Sequence, residues 1–187
     1  MRPAARASFF LAAVALAITT LTAGIGVAQD GVLKPLDVIY VPTSPQAVRE
    51  MLTLAEVKPG DVVYDLGSGD GRIVIAAVKD FGAARGVGIE LDPVRIAEAN
   101  ANAKAAGVSD RVRFRRADLF EVNLSPATVI AMYLLPELNL KLLPKLRALK
   151  PGTRIVSHNY GFDDEWPPER SVNLRTDLVM RWTVGRP

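Results

Sequence analysis

The chain has 187 residues, 49% of them apolar, enough to bury one sizeable core and, at roughly 100–200 residues per domain, to form one domain. Lys and Arg number 23 against 20 Asp and Glu, a net charge of +3 that falls to +1 without Arg2 and Arg6 near the N-terminus, too close to neutral for overall charge to argue for nucleic acid. With no cysteine and one histidine, the composition excludes disulfides and offers no soft-ligand metal cluster.

The N-terminus reads as an export signal. "MRPAAR" is the positive region, "FFLAAVALAI" the apolar run, and Gly26 and Ala28 before Gln29 supply a small-x-small site. The expectation is a signal peptide over residues 1–28 cleaved after Ala28, leaving a domain over 29–187 that is periplasmic or secreted. Residues 8–28 are also long enough for an uncleaved anchor, although the threonine pair interrupts the apolar run. Membrane contact would then be confined to that segment, with the domain still outside the cytoplasm, since the arginines favour a cytoplasmic N-terminus.

Strands and helices alternate from there on. After the extended stretch "LDVIYVPTS", the helix "PQAVREMLTLAEV" places Val48, Met51, Leu52 and Ala55 on one face and stops at "KPG". A strand "DVVYDL" leads through Gly67, Gly69 and Gly71 into the helix "RIVIAAVKDFG". "RGVGIEL" is the second strand, after which Asp92 as N-cap and Pro93 at the first helical position open "PVRIAEANANAKAAG". The strands "RVRFRRA" and "ATVIAMYL" follow, then the helix "PELNLKLLPKLRAL", which Pro144 is expected to kink or break. "TRIVSH" is the fifth strand, and "SVNLRTDLVMRWTVG" reads as a hairpin turning near residues 175–177. The fold expected is α/β: a mostly parallel seven-stranded sheet with helices on both faces and an antiparallel C-terminal hairpin. Ligands of such sheets bind beyond the carboxyl ends of the strands.

The loop "DLGSGDGR" at that end has the spacing D-x-G-x-G-x-G, where a dinucleotide site usually shows G-x-G-x-x-G. Asp65 and Asp70 stand where a pyrophosphate would lie, so a cationic ligand suits the loop better than an anionic one. S-adenosylmethionine carries an ammonium, a sulfonium and no phosphate. Glu90, 23 residues after Gly67 at the end of the second strand, can accept from its two ribose hydroxyls.

With "DLGSGDGR", "GVGIELDP" and "RRADLF" in this order, the chain resembles the class I S-adenosylmethionine-dependent methyltransferases, whose fold is Rossmann-like. "VPTS", "DLGSGDGRIVIAA" and "ADLFEVNLS" are similar more narrowly to the mitochondrial lysine methyltransferases of the adenine nucleotide translocator and ATP synthase c subunit, and to their bacterial relatives. The resemblance implies that Asp65 orients the methionine amino group, that Gly67 and Gly69 line the bend of the cofactor with Ser68 and Gly71 in the same loop, that Glu90 holds the ribose, and that Asp118 and Leu119 face the adenine. Read without it, Asp70 and Arg72 are a cap or ion pair at a helix start, Asp92 a cap, and Asp118 a turn residue.

The acceptor is expected to be a protein lysine, which must arrive neutral in a desolvated, aromatic-lined pocket. Tyr133, ending the fourth strand, is the preferred acceptor-site residue, and His158 the candidate general base; packing and a loop hydrogen bond are their plainer readings. Glu137, Asn139, Asn159 and Tyr160 lie nearby in sequence, and "FDDEWPPE" is a lid or a solvated loop. A small molecule is one alternative acceptor. Nucleic acid is a weaker one, because "MYLLPELN" lacks the Asn/Asp-Pro-Pro-aromatic pattern of base-amine methyltransferases. Arg111, Arg113, Arg115 and Arg116 are the one candidate phosphate surface, and their alternation predicts an exposed or edge strand. Two further readings are a nicotinamide-dependent oxidoreductase, disfavoured by the glycine spacing, and an exported binding protein without activity, suggested because S-adenosylmethionine is made in the cytoplasm.

Overall fold

The computed structural model describes residues 40–186. The leader and anchor expected over residues 1–28 lie outside the described residues, as does the extended stretch up to residue 39. Among the described residues no helix is long and apolar enough to cross a membrane.

Helix α1 (Pro45–Leu54) starts where the Ser44 side chain accepts from the Ala47 amide, with proline at the first helical position, and it buries Ala47, Val48, Met51 and Leu52. Strand β1 (Val62–Leu66), helix α2 (Arg72–Lys79) and strand β2 (Arg85–Glu90) follow. Helix α3 (Pro93–Ala105) is capped by Asp92 as expected, its carboxylate accepting from the Val94 amide at 2.8 Å. Then come β3 (Val112–Arg116), β4 (Val129–Met132), α4 (Pro136–Arg147), β5 (Arg154–His158), a 3-10 turn (Asp163–Glu165), β6 (Arg170–Asn173) and β7 (Leu178–Thr183).

The described strands form one seven-stranded sheet in the order β3-β2-β1-β4-β5-β7-β6. The pairs from β3 to β5 are parallel, and β7 runs antiparallel between β5 and β6. The order reverses between β1 and β4, which puts the switch point at the carboxyl end of β1. One core packs α1 and α2 on the sheet through residues such as Met51, Leu52, Val74 and Ala77. The other carries Leu142 and Leu146 of α4 with Ile130, Ile155 and the fully buried Trp182. Phe162 stacks on Trp166 and meets Trp182 edge-on, with centroids 5.4 and 4.8 Å apart, so the aromatic residues of "FDDEWPPE" and its flank are packing while its acids are exposed.

Helix α4 continues through Pro144 rather than breaking there. The ring removes one amide donor, but Leu142, Leu143 and Leu146 are buried on either side, and that burial outweighs the loss. Strand β3 is a sheet edge with Arg113, Arg115 and Arg116 exposed, as the alternation predicts. At the opposite end of the sheet from the switch point, Arg154 of β5 pairs with Asp61 and donates to the carbonyls of Ala55 and Glu56 at 2.9 and 2.7 Å. Arg181 of β7 reaches the Leu54 carbonyl at 2.8 Å and Glu56 at 2.5 Å. Two buried guanidiniums thus satisfy the carbonyls that α1 leaves open at its C-terminus.

Candidate active site

The loop after β1 is built on glycine. Gly69 and Gly71 have φ of 51° and 82°, and a Cβ added to either would sit 2.2 Å from the Tyr40 ring or 2.4 Å from the Phe114 ring. No larger residue reproduces this turn without displacing an aromatic. The amides of Gly67 and Ser68 both donate to the Ile89 carbonyl, at 2.9 and 3.0 Å, tying the loop to β2. Gly71 is the N-cap of α2.

A cleft opens there, with Asp65, Gly67, Ser68, Glu90, Leu119 and Tyr133 in its walls. Asp65 is 2% exposed, and among the described residues no hydrogen-bond donor reaches its carboxylate. Burial first, then the neighbouring charges of Glu90 and Asp70, push its carboxyl up to about 8. Glu90 is held differently: one carboxylate oxygen accepts from the Gly69 amide at 2.9 Å, the other from the Leu91 and Asp92 amides at 2.7 and 3.0 Å. Burial raises Asp70, but hydrogen bonds from Arg72 outweigh it and hold the carboxyl below its ordinary range. That ion pair, at 2.6 Å, is the capping role expected of Asp70 and Arg72. An orphaned carboxylate beside a second acid is a receptor for a cation, and the ammonium of S-adenosylmethionine fits it.

The remaining site residues divide between wall and support. Gly69 lies beneath the Tyr40 ring and Gly71 against Phe114. Asp118 closes the turn after β3, its Oδ1 accepting from the Phe120 amide at 2.9 Å, while Ala117 and Leu119 on either side line the cleft. Tyr133 stands at the end of β4 with its ring centroid 4.1 Å from His158 and 6.2 Å from Tyr160. His158 is 2% exposed and sits behind Tyr133. Asn139 is buried and donates to the carbonyls of Tyr160 and Gly161, both at 3.1 Å. Asn159 accepts from the Leu178 amide at 2.8 Å, so both asparagines shape the loop after β5. Glu137 is exposed in the first turn of α4.

Residues 40–43, an extended approach in the sequence, are also wall residues of the cleft. Arg72 donates to the Thr43 carbonyl at 2.7 Å, and the Arg95 guanidinium lies 4.8 Å from the Tyr40 ring centroid, so two cations fold this stretch over the glycine loop. The signal available in the chain was "VPTS", whose function is tertiary. Leu134 and Leu138 complete the apolar side.

A mostly parallel sheet of this order, with an acidic glycine loop at its switch point and a second acid closing β2, has the Rossmann-like class I fold of the S-adenosylmethionine-dependent methyltransferases. Residues 65–170 match the family model of the ANTKMT methyltransferase domain, and the chain belongs to that family. It is an enzyme whose cofactor is S-adenosylmethionine. Over 146 residues it is 47% identical to a protein-lysine N-methyltransferase of Saccharolobus islandicus, covering 78% of this chain and 89% of that one. Over 150 residues it is 38% identical to the adenine nucleotide translocase lysine N-methyltransferase of Mus musculus, covering 80% of this chain and 64% of the mouse protein. The crystal structure of an RNA methyltransferase from Salinibacter ruber in complex with S-adenosyl-L-homocysteine superposes with a TM-score of 0.75 at 54% identity, covering 77% of this chain and 94% of that one.

Proposed function

We propose that this chain transfers the methyl group of S-adenosylmethionine to the side-chain amine of a protein lysine. The observation that carries the reading is Tyr133, which directly follows β4 in the wall of the cleft with His158 and Tyr160 beside it. This aromatic end, backed by the buried His158, suits a neutral amine. Of the exposed large apolar side chains, Tyr40 and Val41 line the cleft and Tyr160 lies beside Tyr133, a rim suited to a polypeptide. Relatives named for protein lysine support the same acceptor.

When bound, the cofactor supplies an electrophilic methyl on sulfur. Asp65 would receive its ammonium, Glu90 its ribose hydroxyls, and Leu119 with Ala117 would line the adenine side of the cleft. Leu134 and Leu138, which line the cleft beside Tyr133, would exclude water from the place where the acceptor amine would meet the methyl in line. The test is incubation of the chain with labelled S-adenosylmethionine and either a protein extract or total RNA of its host. Label on lysine side chains is expected; label confined to RNA overturns the reading.

That second outcome is the competing reading, supported by the name of the Salinibacter relative and by Arg113, Arg115 and Arg116 on the exposed edge strand. Against it, the loop after β4 carries no Pro-Pro-aromatic run. We also propose that residues 1–28 take the domain out of the cytoplasm. The support is the positive, apolar and small-residue pattern; N-terminal sequencing of the mature protein should begin at Gln29, and an unprocessed protein in the cytosolic fraction would refute export.

A further inference from the structure

We propose that Thr43, His158 and Asp177 form a proton relay that takes a proton from the acceptor amine before methyl transfer. It rests on the lysine reading: a lysine at neutral pH is an ammonium without a lone pair, and the reaction stalls until a proton leaves. On the cofactor side, Asp65 is committed to the bound ammonium and Glu90 to backbone amides and ribose. The acceptor side needs its own base.

The structure places three groups in a row there. The His158 Nε2 lies 3.0 Å from Oδ1 of Asp177, and its Nδ1 lies 3.3 Å from the hydroxyl of Thr43. Thr43 is in the cleft wall. The Asp177 carboxylate is held below its ordinary range, first by the hydrogen bond from His158, which requires the imidazole proton on Nε2. Nδ1 is then the lone pair, and the Thr43 hydroxyl donates to it. Ser44 donates to the other oxygen of Asp177 at 3.1 Å, so the residues that cap α1 also hold the far end of the row. The charged and titratable groups facing His158 are Asp177, from the turn before β7, and Tyr133, whose ring covers the imidazole at 4.1 Å. Among the described residues no Lys or Arg pairs with Asp177. With its side chain 16% exposed, Asp177 gives the row an outlet to water.

The step balances with one proton entering and one leaving. The acceptor ammonium gives its proton to Thr43 Oγ1 as the Thr43 proton passes to Nδ1, and the resulting imidazolium is stabilised by Asp177. The freed lone pair then forms the N–C bond while the C–S bond breaks and its electron pair stays on sulfur. The imidazolium releases one proton to water and the neutral imidazole re-forms.

The test is the pH dependence of kcat on the lysine acceptor for the wild type, His158→Gln, Thr43→Val and Thr43→Ser, with S-adenosylhomocysteine affinity measured alongside. His158→Gln and Thr43→Val are expected to lose about 100-fold in kcat at pH 7 with unchanged affinity, as for loss of a general base. The deficit should close as the pH approaches about 10, where lysine ionises unaided, and Thr43→Ser should restore the wild-type profile. Variants whose profiles run parallel to the wild type at every pH overturn the relay and leave the acceptor reading standing. A wild-type enzyme inactive on protein lysine overturns both. Imidazole nitrogen-15 shifts, which need no acceptor, overturn the relay by themselves if the proton sits on Nδ1.

Discussion

Asp65 shows at the scale of one residue how binding capacity is set against stability. Its folded carboxyl titrates near 8, against about 4 in the unfolded chain. Between those values the folded state holds the extra proton, so the contribution of this group to stability is fully present below about pH 4, declines as the pH rises, and is lost above about 8. Asp65→Asn should therefore stabilise the cofactor-free fold at pH 8.5, by an amount on the order of a few kcal/mol, and change little at pH 4. Urea unfolding of both forms at the two pH values checks this; equal stability at pH 8.5 would contradict the orphaned carboxylate. The same substitution should weaken S-adenosylhomocysteine binding by about 1.5–3 kcal/mol, the usual worth of a hydrogen bond to a charged group. Because the ammonium requires the ionised carboxylate, wild-type binding at pH 7 should release a proton. Calorimetry in buffers of different ionisation enthalpy measures it, and an enthalpy independent of buffer would be the contrary result.

Two elements flank the cleft with opposite expectations. The stretch over residues 40–44 is fastened by Arg72 through the Thr43 carbonyl and by Ser44 through its cap and Asp177. Arg72→Met removes the carbonyl bond and the Asp70 pair, and a loss of about tenfold in cofactor affinity is expected from one charge-assisted bond of roughly 1.4 kcal/mol. Titration with S-adenosylhomocysteine reads it directly, and affinity within twofold of wild type would show that the stretch closes without this anchor. The edge strand β3 should be inert in comparison. Reversing Arg115 and Arg116 to Glu should leave lysine methylation within about twofold, as for exposed charges away from the acceptor, whereas an RNA methyltransferase using that edge would lose activity and its salt dependence.

The elements themselves were legible, and the reasons are local. The strand and helix signals lie within a few residues of one another, and α1 to β7 appear where periodicity, caps and "KPG" stops place them, usually within two or three residues. The fold brings Asp65, Gly67, Ser68, Glu90, Leu119 and Tyr133 to one cleft because each lies at or just beyond the carboxyl end of a strand. Pro144 was only half legible: a local penalty is visible in the chain, but the burial that overrides it is not.

For the whole molecule, the base of the sheet is the vulnerable join. Asp61 is buried, which raises its carboxyl, yet the bonds from Thr128 and Arg154 outweigh that and hold it below the ordinary range. Its stabilising contribution is present above about pH 4 and lost as the pH falls through the depressed value. Arg154→Ala would leave the buried Asp61 without its cation and the Ala55 and Glu56 carbonyls without their side-chain donor, costing about 3–5 kcal/mol, which urea unfolding at pH 7 would reveal as a large drop in midpoint. Thermal midpoints that do not move would mean that water replaces the guanidinium.

Chain chemistry alone was enough for the alternation of strands and helices, the acidic glycine loop and the acid closing β2, because each depends on neighbours in sequence. The packed fold alone decided that β7 slips between β5 and β6, that Tyr40 covers Gly69, and that Thr43 meets His158 across 115 positions while Asp177 closes the row. Such meetings follow from the order of strands in the sheet and from which side chains must be covered together, and no local pattern encodes them.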